Sequence, residues 1–216
     1  MNKQQSMSKV FLLFVVLFSC FSTSNASVVG GVVTSSNCAP ACTFQLLDPP
    51  PLQVGSDNQN DQHLFAFNEM QNVLLTEDLI LDSTTIGAGT TVSSHYVFFD
   101  PVAVRNLSGS VTFDATILGV ASTVENMTSS DDILGSPATT YNSPGLRGLE
   151  AGDDYSFTGN TLNLDFSAST PGDYIRVITV SSVPVPAAAW LYGQGLSGLI
   201  GMDCHKKDNK RFVWQV

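Results

Sequence analysis

The amino-acid sequence predicts an all-β domain of antiparallel sheets, in the form of a β-sandwich or jelly roll. Apolar and polar residues alternate in residues 111–117 and again in residues 162–166, which is the period of a strand with one face in water. Such short runs are separated by Gly, Pro, Asn, Asp and Ser, and no clear helical period is present. The close spacing of the runs is typical of a sandwich.

The predicted strands begin near residue 61 and continue to residue 182. In residues 111–117, Thr112, Asp114 and Thr116 are expected to face water while the apolar residues between them face a core. The other β-rich runs are residues 65–67, 72–81, 92–99, 162–166 and 174–180. Because about 120 residues of such strands bury a sizeable core, we assign residues 61–182 to one sandwich domain, closed by the run at 174–180.

Residues 27–60 are predicted to be irregular, because three consecutive prolines and a polar loop interrupt them. This segment holds Cys38 and Cys42, separated by Ala-Pro-Ala. A zinc knuckle needs a second ligand pair, and a redox motif normally has one residue fewer between its cysteines. The sequence therefore predicts a small structural disulfide, which requires an oxidising compartment.

The first 26 residues have the features of a secretory signal. Lys3 and Lys9 precede an apolar run of about nine residues, which is too short to span a bilayer. Ser24 and Ala26 then place small side chains where signal peptidase requires them. We predict cleavage between Ala26 and Ser27, so that residues 1–26 are removed on export.

Charge is distributed very unevenly along the chain. Residues 27–182 contain 17 acidic residues, three arginines and no lysine, which gives this part a formal charge of −14. Such a surface repels phosphate backbones, so nucleic acid is not expected as a partner. Cations and neutral polymers such as polysaccharide remain compatible with it.

A second apolar segment, residues 183–202, lies near the C-terminus. It has no charged residue over 20 positions, and a basic tail follows it. This length and positive flank predict a single membrane-spanning helix with its tail in the cytoplasm.

The residues of this segment resemble the PEP-CTERM sorting domain, in its V-P-x-P-A-A-x-W-L variant. The matching run is Val183, Pro184, Val185, Pro186, Ala187, Ala188, Ala189, Trp190 and Leu191. Residues 183–211 carry the tag's three parts, a Pro-x-Pro motif, a span and a basic end; residues 212–216 extend the tail beyond that pattern. The resemblance implies a Gram-negative bacterial protein, held briefly in the inner membrane, processed by an exosortase-type transpeptidase and delivered to the cell surface or the exopolysaccharide matrix.

The sequence offers little for catalysis. His63 and His95 are the imidazoles available between the two terminal segments, and no nucleophile elbow, zinc-protease or phosphate-loop motif is present. We expect neither an enzyme nor a resident cofactor. Clustered acidic residues give a weak alternative of Ca²⁺ binding, since carboxylates are its usual ligands. The residues concerned are Asp57, Asp61, Asp131, Asp132, Asp153 and Asp154.

These observations predict an exported, non-enzymatic envelope or extracellular-matrix protein. The alternative is a carbohydrate-binding module, which would need aromatic rings exposed on one sheet face, with Tyr96, Tyr155 and Tyr174 as the candidates. Burial of these rings would favour a structural role instead. A hydrolase using the paired aspartates is a third, less favoured reading, which requires two carboxylates across a cleft.

Overall fold

A computed structural model describes residues 25–55, 57–59 and 62–181. These residues belong to one compact unit, Asn25–Ser182. The signal segment up to residue 24 and the sorting segment from residue 183 lie outside the described residues, so both stay predictions.

The described residues form short strands, one α-helix and one turn of 3₁₀ helix. The strands are β1 (Val28–Ser36), β2 (Thr43–Leu46), β3 (Gln53–Val54), β4 (His63–Asn68), β5 (Val73–Leu74), β6 (Leu79–Ile80), β7 (Thr85–Ile86), β8 (Thr91–Phe99), β9 (Arg105–Phe113), β10 (Ile117–Ala121), β11 (Thr140–Tyr141), β12 (Asp154–Thr158), β13 (Thr161–Ala168) and β14 (Asp173–Val180). The α-helix, α1, is Val124–Leu134, and the 3₁₀ turn is Pro144–Leu146. The expectation of a mainly β protein is confirmed.

The two largest of the four sheets in the described residues pack together and share a hydrophobic core. The four-stranded sheet has the order β1-β9-β13-β12, and the larger sheet has the order β10-β14-β8-β4-β2, with β5 also paired to β8. Most pairs are antiparallel, whereas β2 runs parallel to β4. Apolar side chains of both sheets meet between them, among them Leu107, Phe113 and Phe166 from one sheet and Val97 and Ile175 from the other.

The larger sheet is buried on both faces, which explains its nearly continuous apolar strands. Its second face packs a separate core that includes Phe67, Phe98 and Tyr174. Met127 and Leu134 of α1 cover part of this face. Strands buried on both sides lose the alternation that marks half-buried strands.

Helix α1 was not predicted from the sequence. Its N-cap is Thr123, whose hydroxyl accepts a hydrogen bond from the Asn126 backbone N–H at 3.2 Å. Only Met127, Ser130 and Leu134 are buried, one residue per turn, so the apolar stripe is too narrow to give a clear helical period.

Two further expectations were wrong. Residues 27–60 are not irregular throughout, because they contain β1 and β2, although the Cys38–Cys42 disulfide predicted there is present with its Cα atoms 5.5 Å apart. Residues 111–117 are not one strand: β9 ends at Phe113, and the chain crosses to the other sheet, where β10 begins at Ile117. Both flanking strands face the same core, so the alternation continues across the break.

Candidate functional site

The outer surface of the four-stranded sheet, which we call the polar face, carries only small polar side chains on three of its strands. On β13 the apolar residues point into the core, and the residues between them point outward. The polar face comprises Asn106, Ser108, Ser110, Thr112, Asp154, Ser156, Thr158, Thr161, Asn163, Asp165 and Ser167. None of these side chains is basic or aromatic.

The strand register aligns these side chains into rows. Asn163 is paired with Ser110 on one side and with Ser156 on the other, which places three polar side chains side by side. Asp154 and Asp165 are also direct partners, and Ser108 donates a hydrogen bond from Oγ to Asp165 Oδ1 at 3.0 Å. A depression of about 120 Å³ lies between β12 and β13 among these groups. The surface is therefore rich in hydrogen-bonding groups at strand spacing.

On the far side of the larger sheet, a fully buried arginine organises a network of charges. Arg176 donates from Nε and Nη2 to the two carboxylate oxygens of Glu69, at 2.7 and 2.9 Å. Its Nη1 donates to the Met127 carbonyl at 3.0 Å and to Ser130 Oγ at 2.7 Å. Burial disfavours its charge, but the attraction of Glu69 outweighs this and raises the pKa of Arg176.

Two further charges complete this network. Asp131 accepts two hydrogen bonds from Arg147, at 2.9 and 2.6 Å, and one from Arg176 at 3.0 Å. Tyr141 donates its hydroxyl proton to Glu69. The positive charges of two arginines are thus balanced by the negative charges of two carboxylates. These ion pairs connect α1 to the sheet on which it packs.

The three tyrosines proposed as a glycan platform do not form one. Tyr96 and Tyr174 are fully buried in the core of the second face, and Tyr155 is half-buried between the sheets. The Tyr155 hydroxyl donates to Asp82 Oδ2 at 2.9 Å. Because the rings are buried or half-buried, they favour a structural role over stacking against a sugar.

The acidic residues proposed as Ca²⁺ ligands are dispersed. Asp131 is occupied by the two arginines, and Asp57 accepts a hydrogen bond from Thr170 Oγ1 at 2.9 Å. Asp132 and Asp154 lie exposed in α1 and β12, and Asp61 is outside the described residues. Within residues 25–55, 57–59 and 62–181, no group of three His, Cys, Asp or Glu side chains is placed to hold a metal ion.

The two histidines also have structural partners. His95 is fully buried, with Nδ1 2.8 Å from Asn68 Oδ1 and Nε2 3.0 Å from Thr179 Oγ1. Burial lowers its pKa to about 3, so it is neutral at physiological pH. His63 lies at the start of β4, with Nδ1 2.7 Å from Thr43 Oγ1.

A group of three acidic residues around the buried Asp173 was not predicted from the sequence, which named only Asp153 of the three, as a Ca²⁺ candidate. Asp173 is 2% exposed at the start of β14. Burial, followed by the nearby charges of Asp153 and Glu150, raises its pKa to about 8. Asp153 is held beside it by hydrogen bonds from the backbone N–H groups of Glu150 at 3.0 Å and Ser167 at 2.7 Å. No local pattern marks this group, because Asp173 lies 20 residues beyond Asp153 in the sequence.

Comparison with known proteins gives no further guide: no family model matches the chain, and neither the curated proteins nor the solved structures contain a match. Among the helices of the described part of the chain, none has the length and hydropathy needed to span a bilayer. The predicted sorting motif from Val183 to Leu191 lies outside that part.

Proposed function

We propose that this protein is a non-enzymatic component of the cell envelope or extracellular matrix, exported through its signal segment and sorted by its C-terminal tag. The domain of residues 25–181 would be its outward-facing part, with exopolysaccharide as its partner. The polar face is the observation that carries the proposal, because it presents aligned hydroxyl, amide and carboxylate groups on a rigid sheet.

The chemistry of the polar face is suited to a hydrated, uncharged polymer. Hydroxyl and amide groups both donate and accept hydrogen bonds, as sugar hydroxyls do. The acidic surface around them disfavours polyanions. Binding would depend on many weak hydrogen bonds across the face, in contrast to ring stacking in a carbohydrate-binding module.

Export is supported by independent features of the chain. The Cys38–Cys42 disulfide links the end of β1 to the start of β2, and such bonds persist in oxidising compartments. The terminal segments agree with this location, since one resembles a secretory signal and the other a sorting tag.

Sorting is tested by replacing Pro184 and Pro186 with Ala in an exosortase-bearing host. We expect full-length precursor to accumulate in the membrane fraction, because the variant loses the Pro-x-Pro sequence, in which Pro186 disfavours a helical conformation at Val185. A chain ending at Pro186 should instead be released without an anchor. Normal processing of the double Ala variant would contradict the sorting proposal.

Polymer binding is tested by co-sedimentation of the exported protein with the purified exopolysaccharide of the host. Replacing Ser156 and Asn163 with Ala removes two adjacent hydrogen-bonding side chains from the polar face, and we expect a loss of bound protein. Thr85→Ala is the matched control, since this exposed residue lies in the β6–β7 hairpin, outside the polar face. Equal binding of all three proteins would refute the role of the polar face.

A further inference from the structure

The backbone N–H and the backbone carbonyl of Ser27 both form hydrogen bonds with the same residue, Asp114. The Ser27 nitrogen donates to Asp114 Oδ1 at 2.6 Å, and the Asp114 nitrogen donates to the Ser27 carbonyl at 3.0 Å. Ser27 immediately precedes β1, and Asp114 immediately follows β9, to which β1 is paired. The pairing of β1 with β9 therefore places the Asp114 carboxylate next to the Ser27 nitrogen.

Ser27 is also the residue that the predicted signal cleavage would leave at the amino terminus. We propose that the α-ammonium group released at Ser27 forms an ion pair with Asp114, immediately before the first strand of the mature domain. This inference rests on the export half of the proposed function.

The cleavage changes the charge of the Ser27 nitrogen. Water adds across the Ala26–Ser27 peptide bond: its hydroxyl goes to the Ala26 carbonyl carbon, and a proton goes to the Ser27 nitrogen. At neutral pH the departing segment ends in a carboxylate, and the new amine takes up a second proton. A neutral peptide donor becomes a cationic one, and hydrogen bonds between ions are stronger than neutral ones.

Asp114 is well placed to accept this cation. It is exposed, and the ion pairs described above engage Arg147 and Arg176 with other carboxylates. The side chain that accepts the next residue's hydrogen bond is neutral: the backbone N–H of Val28 donates to the amide oxygen of Asn68 at 3.0 Å. The ammonium would thus face the Asp114 carboxylate directly.

Burial of Ala26 sets the order of events. Ala26 has no exposed surface in the folded chain, so a protease could reach the Ala26–Ser27 bond only before the domain folds. The ammonium would then be present while β1 pairs with β9, and the ion pair would form as part of folding.

The sequence allows a direct test, because no lysine lies between residues 10 and 205. In the exported protein, the Ser27 amine is then the one primary amine of the N-terminal peptide. The full chain is expressed with its signal, and the exported protein is treated with limiting acetic anhydride over a range of pH. Acetylation of the peptide that begins at Ser27 is quantified by mass spectrometry.

An ion pair with Asp114 raises the pKa of the ammonium above its ordinary value of about 7.7–8.0. For an exposed pair we expect a rise of about half a pH unit. At pH 7 the wild-type amine should therefore be acetylated about threefold more slowly than the amine of the Asp114→Asn variant. Glu77→Gln removes an exposed loop carboxylate elsewhere and should react like the wild type.

The wild-type titration keeps the test independent of how well the variant folds. An ordinary amine pKa in folded wild-type protein, or equal acetylation rates in folded wild type and Asp114→Asn, would overturn the ion pair and leave export intact. An exported chain that begins at a residue other than Ser27 would also overturn it. Failure of the chain to be exported, with Met1 retained, would instead refute the proposed function.

Discussion

Replacing Asp173 with Asn should remove a pH dependence from the stability of the domain. In the folded state burial and the charges of Asp153 and Glu150 raise the pKa of Asp173 from 3.8 to about 8. Between these two values the folded protein holds a proton that the unfolded chain has released. Stability contributed by this proton is therefore fully present below about pH 4, and it is lost as the pH rises towards 8.

The magnitude follows from the size of the shift. Each pH unit of difference corresponds to about 1.4 kcal/mol, so the full interval sets an upper limit of about 6 kcal/mol. Local opening of the loop that carries Asp153 and Glu150 would let Asp173 ionise at lower cost. We therefore expect the free energy of unfolding of the wild type, relative to Asp173→Asn, to fall by about 2–3 kcal/mol between pH 4 and pH 8.

Urea unfolding followed by far-ultraviolet circular dichroism at pH 4, 6 and 8 measures this difference. Comparing wild type with variant cancels the titration of the other carboxylates, since Asn keeps the shape of Asp but cannot ionise. Asp132→Asn, at an exposed position of α1, is the control and should show no such trend. Parallel stability curves for wild type and Asp173→Asn would refute the reasoning, and so would a difference that grows in the opposite direction.

Three further predictions concern the packing of the sheets. Arg176→Met should lower the free energy of unfolding by about 3–5 kcal/mol in the same urea assay, because Glu69 is left as a buried, unpaired carboxylate; the double variant with Glu69→Gln should recover part of this loss. Gly109→Ala should cost about 1–3 kcal/mol, since a Cβ there would lie 2.6 Å from the Val32 carbonyl, whereas Gly30→Ala meets open space and should be nearly neutral. The disulfide between β1 and β2 should leave neither of its cysteines available to thiol reagents in denatured, non-reduced exported protein; labelling of both would contradict it.

The sequence predicted the strands that have one face in water and was less informative about the others. In β13, Leu162, Leu164 and Phe166 face the core at every second position, and the period is plain. In β8 and β14 both faces are buried, so composition could indicate a strand but could not assign its faces. Helix α1 lacked a signal because its position depends on tertiary contacts, above all the bonds from Arg176 to its backbone and to Ser130.

The features of the candidate site could also be predicted only in part. The outward residues of β13 follow directly from its alternation, but their alignment into the polar face requires the register with β9 and β12. The pairing of Arg176 with Glu69 joins residues 107 positions apart, which no local pattern reveals. An aromatic residue in a strand can lie on either face of the sheet. The sequence therefore could not show whether the rings of the three candidate tyrosines are exposed.

The position of β14 determines how the domain would carry a mechanical load. Tension applied beyond Ser181 reaches β14 before any other strand. That strand lies inside the larger sheet, paired with β10 on one side and along eight residues with β8 on the other. Extraction of an edge strand breaks one ladder, whereas extraction of β14 must break two and also withdraw Arg176 from its buried partners. A protein tethered at this end would thus transmit pulling force into a strand that is hydrogen-bonded along both of its edges.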